Sequence, residues 1–148
     1  MKKTFITILI PIVLGAILWM CILCSGKVYY DLDAARETAS ATPAHDVAVV
    51  RVEQFYPFPG EAIKAIFASY PNATEIVWTQ EEPQNMGGWA FVEPRIRAIL
   101  PANATLQYIG RTASASPATG SYAIHNLEQS KLVGDSLNIS AAGIPAAG

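Results

Sequence analysis

Charge is missing where the chain begins. From Thr4 through Ser25 there is no Asp, Glu, Lys or Arg, which excludes an ordinary solvated surface element over that stretch. Basic residues are scarce throughout: 10 Lys and Arg stand against 12 Asp and Glu, a net charge of −2. With Lys2 and Lys3 set aside the count falls to 8 against 12, or −4. A nucleic-acid partner would need a basic face, and this charge balance argues against one. Cysteine is limited to Cys21 and Cys24. Their C-x-x-C spacing suggests a redox or metal site, but no second pair exists to complete a zinc site. Both thiols lie in an apolar run, where buried structural roles are the commoner outcome. The phosphate-loop spacing G-x-x-x-x-G-K-[ST] is absent, and so is G-x-G-x-x-G. Imidazole is supplied only by His45 and His125, far apart and without an evident triad partner, so both read as solvent-facing or structural. No repeat of solenoid period is visible.

What is present is enough chain for one domain with a real core, 148 residues of which 51% are hydrophobic. The apolar surplus is concentrated at the start. Met1-Lys2-Lys3 followed by FITILIPIVLGAILWMCILC has a positive leader and an apolar run long enough to span a bilayer. It lacks a small-x-small cleavage site, and the residues before either cysteine are too bulky for a lipoprotein signal. The literal reading is an uncleaved anchor, with 1–19 as the anchor-like segment and 4–24 as the stretch that could enter a membrane. The same residues carry a competing claim. Met20–Cys24 also reads as a short buried strand, closed by Ser25-Gly26 and followed by a helix.

Beyond Gly26 the pattern becomes regular. Val28, Leu32, Ala35 and Ala39 recur at helical spacing over Lys27–Ala39, and SATPA (Ser40–Ala44) is a polar connection. Val47–Val50 is a continuous apolar run, as in a parallel strand buried on both faces. The turn Tyr56–Gly60 carries two prolines. Ile63, Ile66, Phe67 and Tyr70 then line a second helix, ended by Pro71-Asn72. Ile76–Trp78 is a third strand, Trp89, Val92, Ile96 and Ile99 a helical face interrupted by Pro94, and Leu106–Ile109 a fourth strand. Gly110–Ser121 is a small-residue loop, Ile124, Leu127 and Leu132 mark a last helix, and Ser140–Gly148 is an Ala/Gly/Pro tail expected to fray. Strand and helix alternate four times with short connections. That pattern predicts α/β architecture, a mostly parallel, doubly wound sheet with helices on both faces.

The stretch around which this order turns is Glu75–Gly88, EIVWTQEEPQNMGG. A buried strand gives way to a polar turn at Gln80, at the kind of strand end that faces a ligand or partner crevice in open α/β sheets. Glu81 and Glu82 are adjacent carboxylates, but neighbours on an extended segment point opposite ways and would not share a substrate without a bend. Gln80, Glu81, Glu82 and Asn85 are therefore expected to form an interdomain edge rather than an acid–base pair. Three cations lie at strand or helix ends. Arg51 follows four apolar residues and can bind an anion or pair with Glu53, Glu81 or Glu82. Lys27 stands at a helix start, where an anion can be held, against the plainer reading of a solvated lysine. Arg111 sits with several hydroxyls in GRTASASP, either an anion-binding loop or a flexible connection. The triplets at Asn72, Asn103 and Asn138 fit a glycosylation acceptor pattern that matters only in a secretory setting.

Four of these stretches together resemble one family. LCSGKVYYDL (Leu23–Leu32), DVAVVRVEQFYPFP (Asp46–Pro59), VWTQEEPQNMGGW (Val77–Trp89) and YIGRTASASPATGS (Tyr108–Ser121) are similar in order and spacing to the carboxyl-terminal domain of the thiamine-diphosphate-dependent 2-oxoglutarate dehydrogenase decarboxylating component. The resemblance covers about Met20 to Asn138, and it implies a transketolase carboxyl-terminal-like domain over 20–139 with 140–148 as tail. It implies a parent enzyme of the citric acid cycle, cytoplasmic and homodimeric, that decarboxylates 2-oxoglutarate on thiamine diphosphate with magnesium. That enzyme passes the succinyl group to a lipoyl-bearing succinyltransferase. Cofactor and catalytic residues belong to preceding domains, which this length cannot contain, so no catalytic residue, cofactor or metal is expected here. The chain's partners would be those catalytic domains or a second copy. Some relatives bind acetyl-coenzyme A or a nucleotide such as AMP at this domain's edge, and Arg51 and Arg111, with Lys27 a weaker candidate, match positions similar to those used there. The apolar leader departs from the family and suggests a truncated gene, a fusion or a misplaced start. It also leaves a membrane-tethered binding module without enzymatic activity as the alternative.

Overall fold

The computed structural model describes residues 19–39 and 47–138, together with the backbone of Ile6–Leu9. Four parallel strands form its centre: β2 (Met20–Cys24), β3 (Val47–Val52), β4 (Glu75–Pro83) and β5 (Thr105–Arg111). A short strand β1 (Ile6–Leu9) pairs antiparallel with β3 at one edge, and the sheet order is β1-β3-β2-β4-β5. The helices are α1 (Val28–Thr38), α2 (Gly60–Ser69), α3 (Trp89–Arg97) and α4 (Tyr122–Leu137). The expected α/β class and alternation are observed.

The doubly wound form follows from the period of two along each strand. Cys21, Leu23, Ala48, Val50, Ile76 and Trp78 pack against Ile63, Ile66 and Phe67 of α2 and Val92 and Ile96 of α3. Met20, Ile22, Cys24, Val47, Val49 and Val77 pack on the other face, against Val28 and Leu32 of α1 and Leu132, Val133 and Leu137 of α4. Every residue of β2 is buried, because it lies between β3 and β4 with helices above and below.

This settles the competing claims on Met20–Cys24 in favour of the strand. No helix among the described residues is long and apolar enough to cross a membrane. The remainder of the anchor-like run, residues 1–5 and 10–18, lies outside the described residues, as do the SATPA connection, His45 and the tail. Cys21 and Cys24 are free, buried thiols on opposite faces of the sheet. Three residues apart in a strand means opposite sides, so the C-x-x-C spacing cannot close a shared site here. Burial pushes both thiols up to about 12.

β1 lies inside the anchor-like stretch, where the sequence reading has no strand, and three strands run past their expected carboxyl ends. β3 continues past Arg51 to Val52, and β5 reaches Arg111. The third difference is the largest. Gln80–Pro83 is not a turn but the last part of β4, which pairs with β5 as far as Pro83–Arg111 across a register shift between Thr79 and Pro83. Over that span β4 advances four residues against two of β5, so a bulge-like irregularity absorbs two extra residues and bends the strand while its neighbour still supplies a ladder. The turn begins only at Gln84.

Candidate functional site

The carboxyl edge of the sheet gathers the polar residues. β2 ends at Cys24, and Gly26, with φ of +72°, makes the reversal into α1, a conformation that an L side chain adopts only with strain. Lys27 is thereby placed at the head of α1. Two strands away along the sheet order, Arg111 ends β5. The loop after it leads into α4, which crosses back over β4 and α1. Between these elements lies an open cleft of about 370 Å³ bordered by Lys27, Glu81, Glu82, Arg111, His125 and Glu128. His125 itself is exposed.

Both cations of the cleft are already paired. Lys27 Nζ donates to Asp31 Oδ2 at 2.9 Å, and that hydrogen bond raises the ammonium above its ordinary value. The same Asp31 oxygen accepts from Gln129 Nε2 of α4 at 2.8 Å. Arg111 Nε lies 2.8 Å from Glu128 Oε2, and Arg111 Nη1 donates to the Pro117 carbonyl at 3.0 Å. The Arg111–Glu128 contact is an ion pair without a hydrogen bond. Both atoms are buried, and the angle between them leaves each unsatisfied despite the short separation. Burial raises the Glu81 carboxyl, partly offset by Lys27. An anion entering this cleft therefore meets two engaged cations and three glutamates, and it binds only by taking over their ion pairs.

Arg51 does not share this cleft. It lies in β3, which β2 and β4 separate from β5, so three interstrand spacings, about 14 Å, stand between the two strands. Its Nε pairs with Glu53 and its Nη1 donates to Tyr30 Oη at 2.6 Å. Its guanidinium lies 4.9 Å from the Tyr30 ring centroid and 5.5 Å from that of Tyr29. Of the partners considered for Arg51, Glu53 is the one found. The structure thus brings Lys27 and Arg111 together and leaves Arg51 on a separate flank.

The four residues expected at an edge divide in the same way. Glu81 and Glu82 both border the cleft, because the bulge supplies the bend that a regular strand lacks. Gln80 is buried, contrary to the picture of a residue presented to a neighbouring domain. Its Oε1 accepts from Trp78 Nε1 at 2.9 Å and from the Trp89 amide at 3.0 Å. Its Nε2 reaches the carbonyls of Met86 at 2.7 Å, Pro83 at 3.1 Å and Glu82 at 3.2 Å. One side-chain amide thus satisfies the bulge, the turn and the start of α3. Asn85 clamps the loop after β5 by a two-point exchange with Ser114, donating to its carbonyl at 2.9 Å and accepting from its amide at 3.0 Å. Tyr108 completes the corner, its Oη lying 3.1 Å from the Glu82 carbonyl and 3.0 Å from that of Arg111. A Cβ at Gly110 would stand 2.4 Å from that hydroxyl and 2.8 Å from the Gln80 carbonyl, so only glycine fits.

Sequence reasoning missed Gln129, Glu128 and Tyr108. No pattern marks Glu128 or Gln129, since their partners lie on other elements. Tyr108 carried a signal in the adjacent Gly110, whose lack of a side chain makes room for the phenol.

The arrangement defines an open, mostly parallel α/β domain with a polar cleft at the carboxyl ends of its strands. Among the described residues no group of three or more His, Cys, Asp or Glu could hold a metal ion. Residues 18–137 match the 2-oxoglutarate dehydrogenase C-terminal family, and the chain belongs to that family. It is 54% identical over 112 residues to the 2-oxoglutarate dehydrogenase E1 component of Cupriavidus necator, covering 76% of this chain and 12% of that protein. It is 46% identical over 112 residues, with the same coverages, to the E1 component of a Geobacillus species. The E1 component of Bacillus pumilus is 47% identical over 116 residues, 78% of this chain and 12% of the relative. The chain thus spans about an eighth of the length of these relatives.

Proposed function

We propose that this domain is a non-catalytic assembly and effector module of a 2-oxoglutarate dehydrogenase E1 component, of the transketolase carboxyl-terminal type. The observation that carries the reading is the convergence of Lys27 and Arg111 on one cleft at the carboxyl ends of the strands, within a member of this family. That edge is where open α/β sheets take their ligands, and two cations there suit a phosphorylated or acyl-coenzyme ligand such as acetyl-coenzyme A or AMP. Thiamine diphosphate and magnesium are assigned, on this reading, to a site outside this chain. Asp31 is taken by Lys27 and Gln129, and Glu128 is taken by Arg111; Glu81 and Glu82 remain, and among the described residues no group of three or more His, Cys, Asp or Glu could hold a metal ion. Decarboxylation of 2-oxoglutarate and transfer to a lipoyl partner belong, on this reading, to other domains of the cytoplasmic E1 enzyme.

Assembly is supported by α4. Ile124 and Leu127 are exposed together one turn apart on its first turns, with Tyr122 exposed at the helix start, an apolar pair suited to cover by the catalytic domains or by a second copy. Supplied with 2-oxoglutarate, thiamine diphosphate, magnesium and a dye acceptor, the chain alone shows no turnover; robust activity would overturn the reading. Calorimetric titration with acetyl-coenzyme A and AMP tests the site. Arg111→Ala is expected to weaken binding about tenfold or more, the scale of one charge-assisted contact, and equal affinity in the variant removes Arg111 from the site.

A further inference from the structure

We infer that Glu128 is a built-in occupant of the Arg111 site, and that an anion entering the cleft displaces it and releases the amino-terminal half of α4. The inference rests on the effector-site reading above and adds to it a mechanism by which occupancy would be felt elsewhere.

The first observation is the quality of the pair. Arg111 is largely buried, with 16% of its side chain exposed. At 2.8 Å the Arg111 Nε and Glu128 Oε2 atoms gain Coulomb attraction, but neither completes a hydrogen bond. A buried donor and acceptor left unaligned forfeit the stronger, directional part of a charge-assisted contact. A phosphate or carboxylate free to orient itself can meet the guanidinium fork in line, which Glu128, tethered to a helix, does not do. The carboxylate therefore holds the site against water and gives way to a better-aligned anion.

The second observation is how α4 is seated. Its buried residues are Gln129, Leu132, Val133, Gly134, Ser136 and Leu137, all in the later part of the helix. From Tyr122 to Leu127 none is buried. Polar side-chain contacts tie down the junction between the two halves: Glu128 to Arg111, and Gln129 to Asp31. Asp31 is also the partner of Lys27. Each cation of the cleft is thus neutralised by an acid that simultaneously helps to seat α4. An anion that recruits Arg111 frees Glu128, and one that recruits Lys27 displaces Asp31 from it, leaving the acceptor of Gln129 without its cation. Arg51 provides the contrast, since its acid Glu53 directly follows β3 and is not part of α4.

Inorganic pyrophosphate serves as probe, with affinity measured by calorimetry and α4 followed by amide hydrogen exchange in the full chain. Glu128→Gln is expected to bind pyrophosphate on the order of tenfold more tightly, one released charge-assisted contact. Pyrophosphate should speed exchange over Tyr122–Gln129 in the unaltered protein and leave Leu132–Leu137 unchanged. In Glu128→Gln that segment exchanges fast already. Glu82→Gln removes the same charge from the same cleft without touching Arg111, and it should leave α4 exchange unaltered. If pyrophosphate binds and Arg111→Ala abolishes binding, but Glu128→Gln binds no more tightly and its α4 exchanges normally, the displacement mechanism is overturned and the effector site stands. If Glu82→Gln reproduces both effects of Glu128→Gln, bulk charge explains them and the mechanism is likewise overturned. Binding by neither the unaltered protein nor Glu128→Gln overturns the effector site itself.

Discussion

The two faces of this sheet are held by different forces. Under α2 and α3 the core is apolar and aromatic: Trp78 packs at 5.9 Å from Phe55, which stacks at 6.2 Å on Phe91. The polar residue of β4 on that side, Gln80, is satisfied within its own corner. Under α1 and α4 the lower layer is equally apolar, but the layer near the carboxyl edge is polar. Thr79 Oγ1 meets Ser136 Oγ at 2.9 Å, Asp31 meets Gln129, and Arg111 meets Glu128. Alternate residues of one strand therefore serve opposite purposes, Trp78 and Gln80 on one side, Thr79 and Glu81 on the other. Apolar packing is non-directional and stays put when single charges change, whereas polar contacts can be exchanged for others of similar energy. The α2–α3 face is built to stay, and the α1–α4 edge is built of contacts that a ligand or a proton can replace.

Substitutions along β4 test this contrast directly. Trp78→Ala should be the most damaging, costing about 3–5 kcal/mol for a fully buried indole, read as a lower urea midpoint at unchanged slope. A loss comparable to that from an exposed position would contradict the picture of a rigid apolar face. Gln80→Ala should follow, at about 2–4 kcal/mol, because it strands the Trp78 indole and the Trp89 amide together. Protection of the Trp89 amide in hydrogen exchange should drop with it. Ser136→Ala, on the other face, should cost only about 1 kcal/mol, since Thr79 loses one neutral partner. A thermal melt separates that from a core effect, and a loss near that of Trp78→Ala would erase the difference between the faces.

The smallest effect is one of pH. The folded protein holds the Glu81 proton more tightly than the unfolded chain does, because burial raises its carboxyl more than Lys27 lowers it. A raised folded value means that protonation favours folding: the contribution is fully present below the unfolded value and is lost as pH rises through the folded one. Glu81→Gln should therefore raise stability at neutral pH relative to the unaltered protein and remove that part of the pH dependence above about pH 4, the ordinary glutamate range. Denaturation at pH 4 and pH 7 measures it. A variant whose difference from the unaltered protein is the same at both pH values would show that Glu81 is not desolvated at this edge.

Much of this architecture was legible without coordinates. The apolar runs at Met20–Cys24 and Val47–Val50, the helical spacing from Val28 to Ala35 and the proline turn at Tyr56–Gly60 are local signals, and local backbone preferences obeyed them. Lys27 and Arg111 were readable as edge residues because strand ends are readable. The Gln80–Pro83 segment departs from its sequence pattern for a physical reason. Glu, Gln and Pro lower strand propensity, but β5 alongside supplies ladder partners and a bulge takes up the mismatch, so tertiary pairing overrode composition.

Sequence alone therefore determined the order of elements from β2 onward, the α/β class and the scarcity of basic charge, whereas β1 within the anchor-like stretch came only with the structure. Only the tertiary structure decided that Cys21 and Cys24 face opposite layers, that Gln80 is a buried staple, and that Arg111 shares a cleft with Lys27 while Arg51 does not. It alone placed Glu128 against Arg111. The reason is that sheet order and register bring together residues far apart in sequence, such as Asp31 and Gln129, and no periodicity along the chain encodes which of them will meet.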